Sequence, residues 1–225
     1  MSTTIEPTPT DETPQQPETA VRRTVLWWLL GALLVVVVFI AVRLVQGYPL
    51  IGPRQLHGFV MNEPAPVGDF TLTSHNGDPV SLSDFRGKLV LLYFGYTSCP
   101  DVCPMTMVEL TKARESLPER FQDDVQVLMV TVDPERDTPA LLANYLSHFD
   151  ETFLGLTGTP EEIEAAAAPL GIFYEKRVVE DSETYFMDHT ATVAVVDRQG
   201  RLRLVWPFGM PVEDVASDLG YLVRE

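Results

Sequence analysis

Residues Lys88–Pro118 read KLVLLYFGYTSCPDVCPMTMVELTKARESLP, and the change of pattern along this stretch sets the fold class. The first nine residues, KLVLLYFGY, carry apolar side chains on both faces, as a strand buried from two sides must. From Thr106 onward, TMVELTKARESLP takes up the period of a helix. Between the two lies a loop with the chain's two cysteines, Cys99 and Cys103, each followed by proline. Strand, thiol loop and helix therefore follow in order. The thiols fall at the strand's carboxyl end, where open α/β sheets place their sites.

The neighbouring segments continue the alternation. Upstream, DFTLTSHNGDPVSL (69–82) alternates apolar and polar residues around Asn76-Gly77, the pair that tolerates positive φ, and predicts a hairpin. Downstream, VQVLMVTVD (125–133) reads as a second buried strand. DTPALLANYLSHF (137–149) reads as a helix capped by Asp137 or Thr138, with Pro139 at its first position. FLGLTG (153–158) is a short strand, and TPEEIEAAAAPLG (159–171) a helix with Thr159 as cap, acidic residues in its first turn and Gly171 near its end. IFYEKRVV (172–179) and TATVAVVD (190–197) read as strands, Arg198-Gln199-Gly200 as a turn into RLRLVWPF, and PVEDVASDLGYLV (211–223) as a closing helix. Together they predict an α/β fold, a central mixed sheet flanked by helices.

The first 65 residues differ in kind. Residues 1–23 are mostly polar, rich in Pro and Thr, and predict a disordered tail. An unbroken apolar run follows from Val25 to Val42, roughly 27 Å long as a helix and close to the hydrocarbon thickness of a bilayer. Arg22, Arg23 and Arg43 flank it, and Trp27 and Trp28 sit where an interfacial belt would. A cleaved signal peptide begins similarly, but no small-residue cleavage site follows this run. We therefore expect a membrane anchor over 24–45 with the N-terminus inside, a linker over 46–65, and one folded domain over 66–225 on the outer side. That compartment is oxidising, so a thiol pair there closes into a disulfide unless something protects it. The formal charge of −16 argues against nucleic acid and anionic lipid as partners, since both need a basic stripe.

Cys99 and Cys103 suit a metal clamp, a redox pair or a disulfide. If Cys103 opens a helix, the sulfurs face one another across its first turn. Pro100 and Pro104 stiffen the loop, Pro104 suiting the first helical position, and the helix N-terminus favours thiolate. A four-residue step gains little from a structural disulfide, and a closed zinc site needs four ligands where only two cysteines exist. Thiolates select soft cations, Cu(I) first, and one imidazole would complete a three-coordinate set that also holds Cu(II). Four histidines are available. His75 falls in the hairpin turn and reads as solvated, and His148 ends a helix, where it suits the dipole. His57 lies in the strap before the domain with no visible partner. His189 comes in a loop just before an apolar strand, where a structural histidine fits as well as a ligand. Met105 and Met107, two apart, point to different helix sides and read as core.

The combination of YFGYTSCPDVCPMT (93–106), TVDPERDTP (131–139) and DHTATVAVVDRQGRL (188–202) resembles the Sco/SenC family of membrane-anchored copper proteins, which serve cytochrome c oxidase assembly. The likeness runs from about Pro66 to the C-terminus. It implies a thioredoxin-like fold in which Cys99, Cys103 and His189 bind one copper ion, Cu(I) or Cu(II). It also implies a metallochaperone that takes copper from an upstream donor to the binuclear site of oxidase subunit II. The alternative is a thiol-disulfide reductase of that site's cysteines, with Cys99 and Cys103 as redox pair. A peroxidase fits less well, because the usual arginine and threonine neighbours of a peroxidatic thiol are not evident around Cys99. Thioredoxins space their thiols C-x-x-C and carry a cis-proline where Thr190 stands here. Both departures move the site toward metal capture.

Several carboxylates remain as candidates around the ligands. Asp133, Glu135, Arg136 and Asp137 crowd one loop, either as helix cap and local Arg–carboxylate pair or as a polar rim that orients the ligands or docks a partner. Asp188 either fixes the tautomer of His189 or is an exposed loop aspartate.

Overall fold

A computed structural model of the chain describes residues 18–46, 56–178 and 184–225, in two compact units that divide after Arg54. The first is one helix, α1 (Glu18–Gln46), whose stretch Val25–Arg43 is long and apolar enough to cross a membrane. It opens earlier than the sequence suggested: Glu18–Arg23, read as tail, are already helical, while Met1–Pro17 and the middle of the expected linker, 47–55, lie outside the described residues.

The second unit contains strands β1 (Phe59–Pro66), β2 (Thr71–Ser74), β3 (Pro79–Ser81) and β4 (Leu89–Gly95), then helices α2 (Val102–Glu115) and α3 (Glu119–Gln122). There follow β5 (Val125–Thr131), α4 (Pro139–Leu146), β6 (Leu154–Thr157), α5 (Pro160–Ala167), β7 (Tyr174–Val178), β8 (Tyr185–His189), β9 (Thr192–Val196), β10 (Arg201–Pro207) and α6 (Val212–Leu222). Eight strands form a mixed sheet in the order β1-β10-β9-β4-β5-β6-β2-β3, with β4, β5 and β6 mutually parallel and the remaining pairs antiparallel. Every residue of β4 and of β5 is buried. Both faces of the sheet centre are covered, which is why these strands read as continuous apolar runs rather than alternating ones. Tyr93, Phe94, Phe153 and Trp206 are the largest fully buried side chains.

The local signals act as expected where they are self-contained. Gly77 has φ +90° in the β2–β3 turn, a conformation that carries no Cβ penalty in glycine. Glu162 N–H donates to Thr159 Oγ1 at 3.3 Å, and Thr159 N–H donates to Glu162 Oε2 at 2.8 Å, a capping box that starts α5. At α4 the cap is Thr138, whose Oγ1 accepts from Leu141 N–H at 3.3 Å. Asp137 turns elsewhere.

Two segments depart from the sequence reading. Phe59–Ala65, expected as linker, form with Pro66 the strand β1 on the sheet edge, pairing with β10 across a register break between Val60 and Ala65. Described residues that pair with the folded sheet thus precede residue 66, where the domain was expected to start. Pro64 and Pro66 hid the strand, yet an edge strand tolerates proline, which also protects it from pairing with a foreign chain. YFMDH, read as loop, is β8, and it pairs with β7 in a separate two-stranded sheet that sets Tyr174 opposite His189.

Candidate metal centre

Strand β4 ends at Gly95, and the thiol loop runs on to Asp101 before α2 begins at Val102. Pro104 is therefore the third helical residue, not the first; its missing N–H still falls among the unpaired donors of the opening turn. Cys103 is fully buried, Cys99 is partly exposed, and both are free thiols. Gly95 permits their closeness to the sheet, since a Cβ there would stand 2.6 Å from Tyr93 Cε1 and 2.9 Å from Cys103 Sγ.

Cys103 N–H donates to Cys99 Sγ at 3.4 Å, and His189 Nε2 lies 3.5 Å from Cys103 Sγ. The two sulfurs and the imidazole nitrogen all fall within 4.8 Å of one another. The His189 ring stands edge-on to Tyr93 and Tyr96, with centroids at 6.1 and 5.9 Å. Its Nδ1 is 3.4 Å from the Thr190 carbonyl oxygen. A carbonyl only accepts, so this contact places the ring proton on Nδ1 and leaves the Nε2 lone pair turned toward the sulfurs. Thr190 N–H donates to the Phe173 carbonyl at 2.8 Å, a bond no proline could make.

The sulfurs share one proton unequally. A hydrogen bond from the Cys103 thiol, followed by backbone N–H groups, holds the Cys99 thiol far below its usual range despite partial burial. The same hydrogen bond and burial push Cys103 up. Negative charge therefore rests on the more accessible sulfur and the proton on the buried one. Burial and then the charge on Cys99 raise the Tyr96 phenol as well.

The other candidates fall out unevenly. Asp188 is over half exposed and pairs with Arg177 across the hairpin, not with His189. Neighbouring residues of a strand point to opposite faces, so its carboxylate cannot reach the ring beside it. Asp137 is fully buried and accepts from Thr97 N–H at 3.0 Å, Thr97 Oγ1 at 2.6 Å and Thr131 Oγ1 at 2.6 Å. Asp133 is paired with Arg136 and accepts from Tyr185 O–H at 2.8 Å. Met107 is buried as expected, whereas Met105 is 47 % exposed and does not belong to the core.

His148 sits at its helix end with Nδ1 2.7 Å from the Asn144 carbonyl. His75 is not a freely solvated turn residue: Gly155 N–H donates to its Nδ1 at 3.0 Å, and burial lowers its pKa. His57 has the partner its sequence position did not show, the buried carboxylate of Asp218 at 2.9 Å from Nδ1. Among residues around the thiols, Tyr93, Gly95, Tyr96 and Thr97 escaped the sequence reading as site residues. The one available signal was their placement, immediately before Cys99 at the end of the central strand.

Comparison with known proteins agrees with this arrangement. Residues 61–224 match the SCO1/SenC family model. The SCO2-like protein of Rickettsia felis is 36 % identical over 135 residues, 60 % of this chain and 65 % of that protein. The mitochondrial SCO1 homolog of Mus musculus is 37 % identical over 148 residues, 65 % of this chain and 52 % of that one. The chain thus spans between about half and two thirds of these curated relatives. Among solved structures, apo Sco1 of Thermus thermophilus superposes with TM-score 0.69 at 43 % identity, over 76 % of this chain and 99 % of that one. ScoI of Bradyrhizobium japonicum, solved with copper bound, gives 0.64 at 39 % identity, over 70 % and 99 %. Yeast Sco1 with copper bound gives 0.66 at 28 %, over 72 % and 90 %. The thioredoxin-like fold is shared with all three, and with the family model covering nearly the whole folded unit, the chain belongs to the SCO1/SenC family.

Proposed function

We propose that this chain binds one copper ion through Cys99 Sγ, Cys103 Sγ and His189 Nε2, and delivers it to the binuclear copper site of cytochrome c oxidase subunit II. One observation carries the reading: two soft sulfur donors and an imidazole nitrogen from two distant segments converge within 4.8 Å, a set suited to Cu(I) on the thiolates and to Cu(II) once the imidazole joins. That two family members were solved with copper bound supports it. Copper from an upstream donor meets the exposed Cys99 thiolate first, Cys103 releases its proton as it binds, and His189 closes the set. Transfer then proceeds by exchange, an acceptor thiolate entering on the open side. Val25–Arg43 anchors the protein in a membrane with the N-terminus inside, holding residues 66–225, and the rest of the folded unit with them, on the outer side near a membrane-bound acceptor.

Metal analysis of the full chain in detergent tests the proposal. We expect one copper per chain and a sulfur-to-Cu(II) charge-transfer band; His189→Ala should lose the Cu(II) band while the thiol pair keeps Cu(I). A wild-type protein that retains no copper overturns it. The proton sharing favours a second reading. The Cys99 thiolate attacks an acceptor disulfide, and Cys103 then displaces the acceptor thiol from the mixed disulfide. The acceptor gains two electrons and this pair ends as a disulfide. Disulfide turnover unchanged by His189→Ala, together with absent copper binding, selects that reading.

A further inference from the structure

Both ligand-bearing segments are held by one short loop that contributes no ligand. After β5 the chain runs through Asp133, Pro134, Glu135, Arg136 and Asp137 into α4. At its far end, Asp137 binds the backbone and side chain of Thr97, two residues before Cys99. At its near end, Asp133 takes the Tyr185 hydroxyl at 2.8 Å and the Arg136 Nε–H. Arg136 in turn donates from Nη1 to the Tyr185 carbonyl at 3.1 Å, and its guanidinium lies 3.7 Å from the centre of the Tyr185 ring. It also stands 5.7 Å from the Tyr96 ring, the ring against which His189 rests. The exposed Glu135–Lys176 pair at 2.5 Å adds a weaker tie to β7.

Tyr185 opens β8 and His189 closes it. The β7–β8 ribbon is not part of the main sheet, and a two-stranded ribbon is marginal alone. Its orientation must come from outside, and besides the packing of Tyr185 against the core, the described polar contacts that supply it at the Tyr185 end are those of Asp133 and Arg136. Asp133 is 2 % exposed, so its geometry is fixed by the core at the end of β5. The imidazole is thereby referenced to the loop after β5, which through Asp137 and Thr97 also holds the thiol loop after β4.

We propose that Arg136, with Asp133 and Tyr185, is the positioning device of the metal site: it clasps β8 so that His189 is presented to the thiol pair. This rests on the copper reading above. Breaking the clasp converts a three-donor site into a two-donor site without touching a ligand. Groups that orient ligands in this way are typically worth about 10- to 100-fold in metal affinity.

The test uses full chain in detergent. Arg136→Ala and Arg136→Lys, which lacks the planar fork, should each weaken Cu(II) affinity by roughly 10- to 100-fold and diminish the charge-transfer band. Cu(I) on the thiols should change far less. Tyr185→Phe, which removes only the hydroxyl, serves if the arginine variants fold poorly and should give a smaller loss in the same direction. Arg177→Ala, on the ribbon but outside the clasp, should bind as wild type. The decisive comparison is Arg136→Ala/His189→Ala against His189→Ala. If Arg136 acts through the imidazole, the double variant binds no worse than the single; a further loss overturns the proposal. NMR of the copper-free protein supplies a metal-independent readout. His189 should show contacts to the Cys103 β-protons in wild type that vanish in Arg136→Ala. Should wild type bind no copper, the function fails while this measurement still judges the clasp. Unchanged His189 contacts in the variant overturn it.

Discussion

Two sulfurs four residues apart differ because one is buried and the other is not. The Cys103 thiol donates to Cys99, and the charge settles on the sulfur that solvent reaches. Cys99 should therefore be a nucleophile well below the pH at which an ordinary thiol, with pKa about 8.5, ionises. In the reduced, copper-free protein, iodoacetamide at pH 6 should alkylate Cys99 and leave Cys103 untouched. The folded pKa of Cys99 is depressed, so its ionised form, and the hydrogen bond it accepts, persist as pH falls from the ordinary thiol range and are lost only when pH drops through the depressed value. Cys103→Ala removes the donor, and the pH 6 rate at Cys99 should fall toward that of a free thiol. Mass spectrometry of the alkylated peptides reads both outcomes; equal labelling of the two cysteines would contradict the assignment.

At the scale of elements, the parts that formed as read are those whose determinants lie within a few residues. Thr159, Pro160 and Glu162 specify the start of α5 among themselves. Thr159→Ala should cost about 1 kcal/mol, the usual penalty for a lost N-cap, visible as a lowered urea midpoint with unchanged slope. The same locality made the β2–β3 turn at Asn76-Gly77 and the strand, thiol loop and helix of residues 89–115 legible. Strands β1 and β8 were not, because neither is stabilised by its own pattern. β1 tolerates its prolines only through lying on an edge against β10, and β8 is oriented by Asp133 and Arg136, some fifty residues earlier. The candidate site divides in the same way. Cys99 and Cys103 could be read directly from their spacing. His189 needed the family resemblance, since nothing local distinguishes a ligand from a structural imidazole. For Asp188 the sequence leaves a support for the ring and an exposed carboxylate equally open, because the strand that turns it away from the ring has no local signature.

Over the whole molecule, closure depends on a carboxylate that has no place in the metal chemistry. Asp218 on α6 is 1 % exposed. It accepts from His57 N–H at 2.9 Å, from His57 Nδ1 at 2.9 Å, from Gly58 N–H at 3.0 Å and from Trp206 Nε1 at 3.1 Å. One side chain thus joins the start of the folded unit, strand β10 and the last helix, across 161 positions of sequence. Gly58 can approach only because it lacks a Cβ, which would lie 2.7 Å from Trp206 Cδ1. In a chain of net charge −16 most carboxylates repel one another across solvent, but this one is buried and surrounded by donors. Asp218→Ala leaves several of them without an acceptor, at about 1–3 kcal/mol for each that stays buried. The expected loss is roughly 2–4 kcal/mol, the sum over the two or three donors that stay buried. Asp218→Asn keeps one carbonyl acceptor but turns an amide donor toward N–H groups, so it should recover only part of that loss. His57→Ala should cost less, because the half-exposed ring can be replaced by water while the backbone donors keep their acceptor. Urea denaturation of the full chain in detergent measures all three. An Asp218→Ala protein within about 1 kcal/mol of wild type, the scale of one ordinary hydrogen bond, would show that the strap at His57 is held by β1 pairing alone.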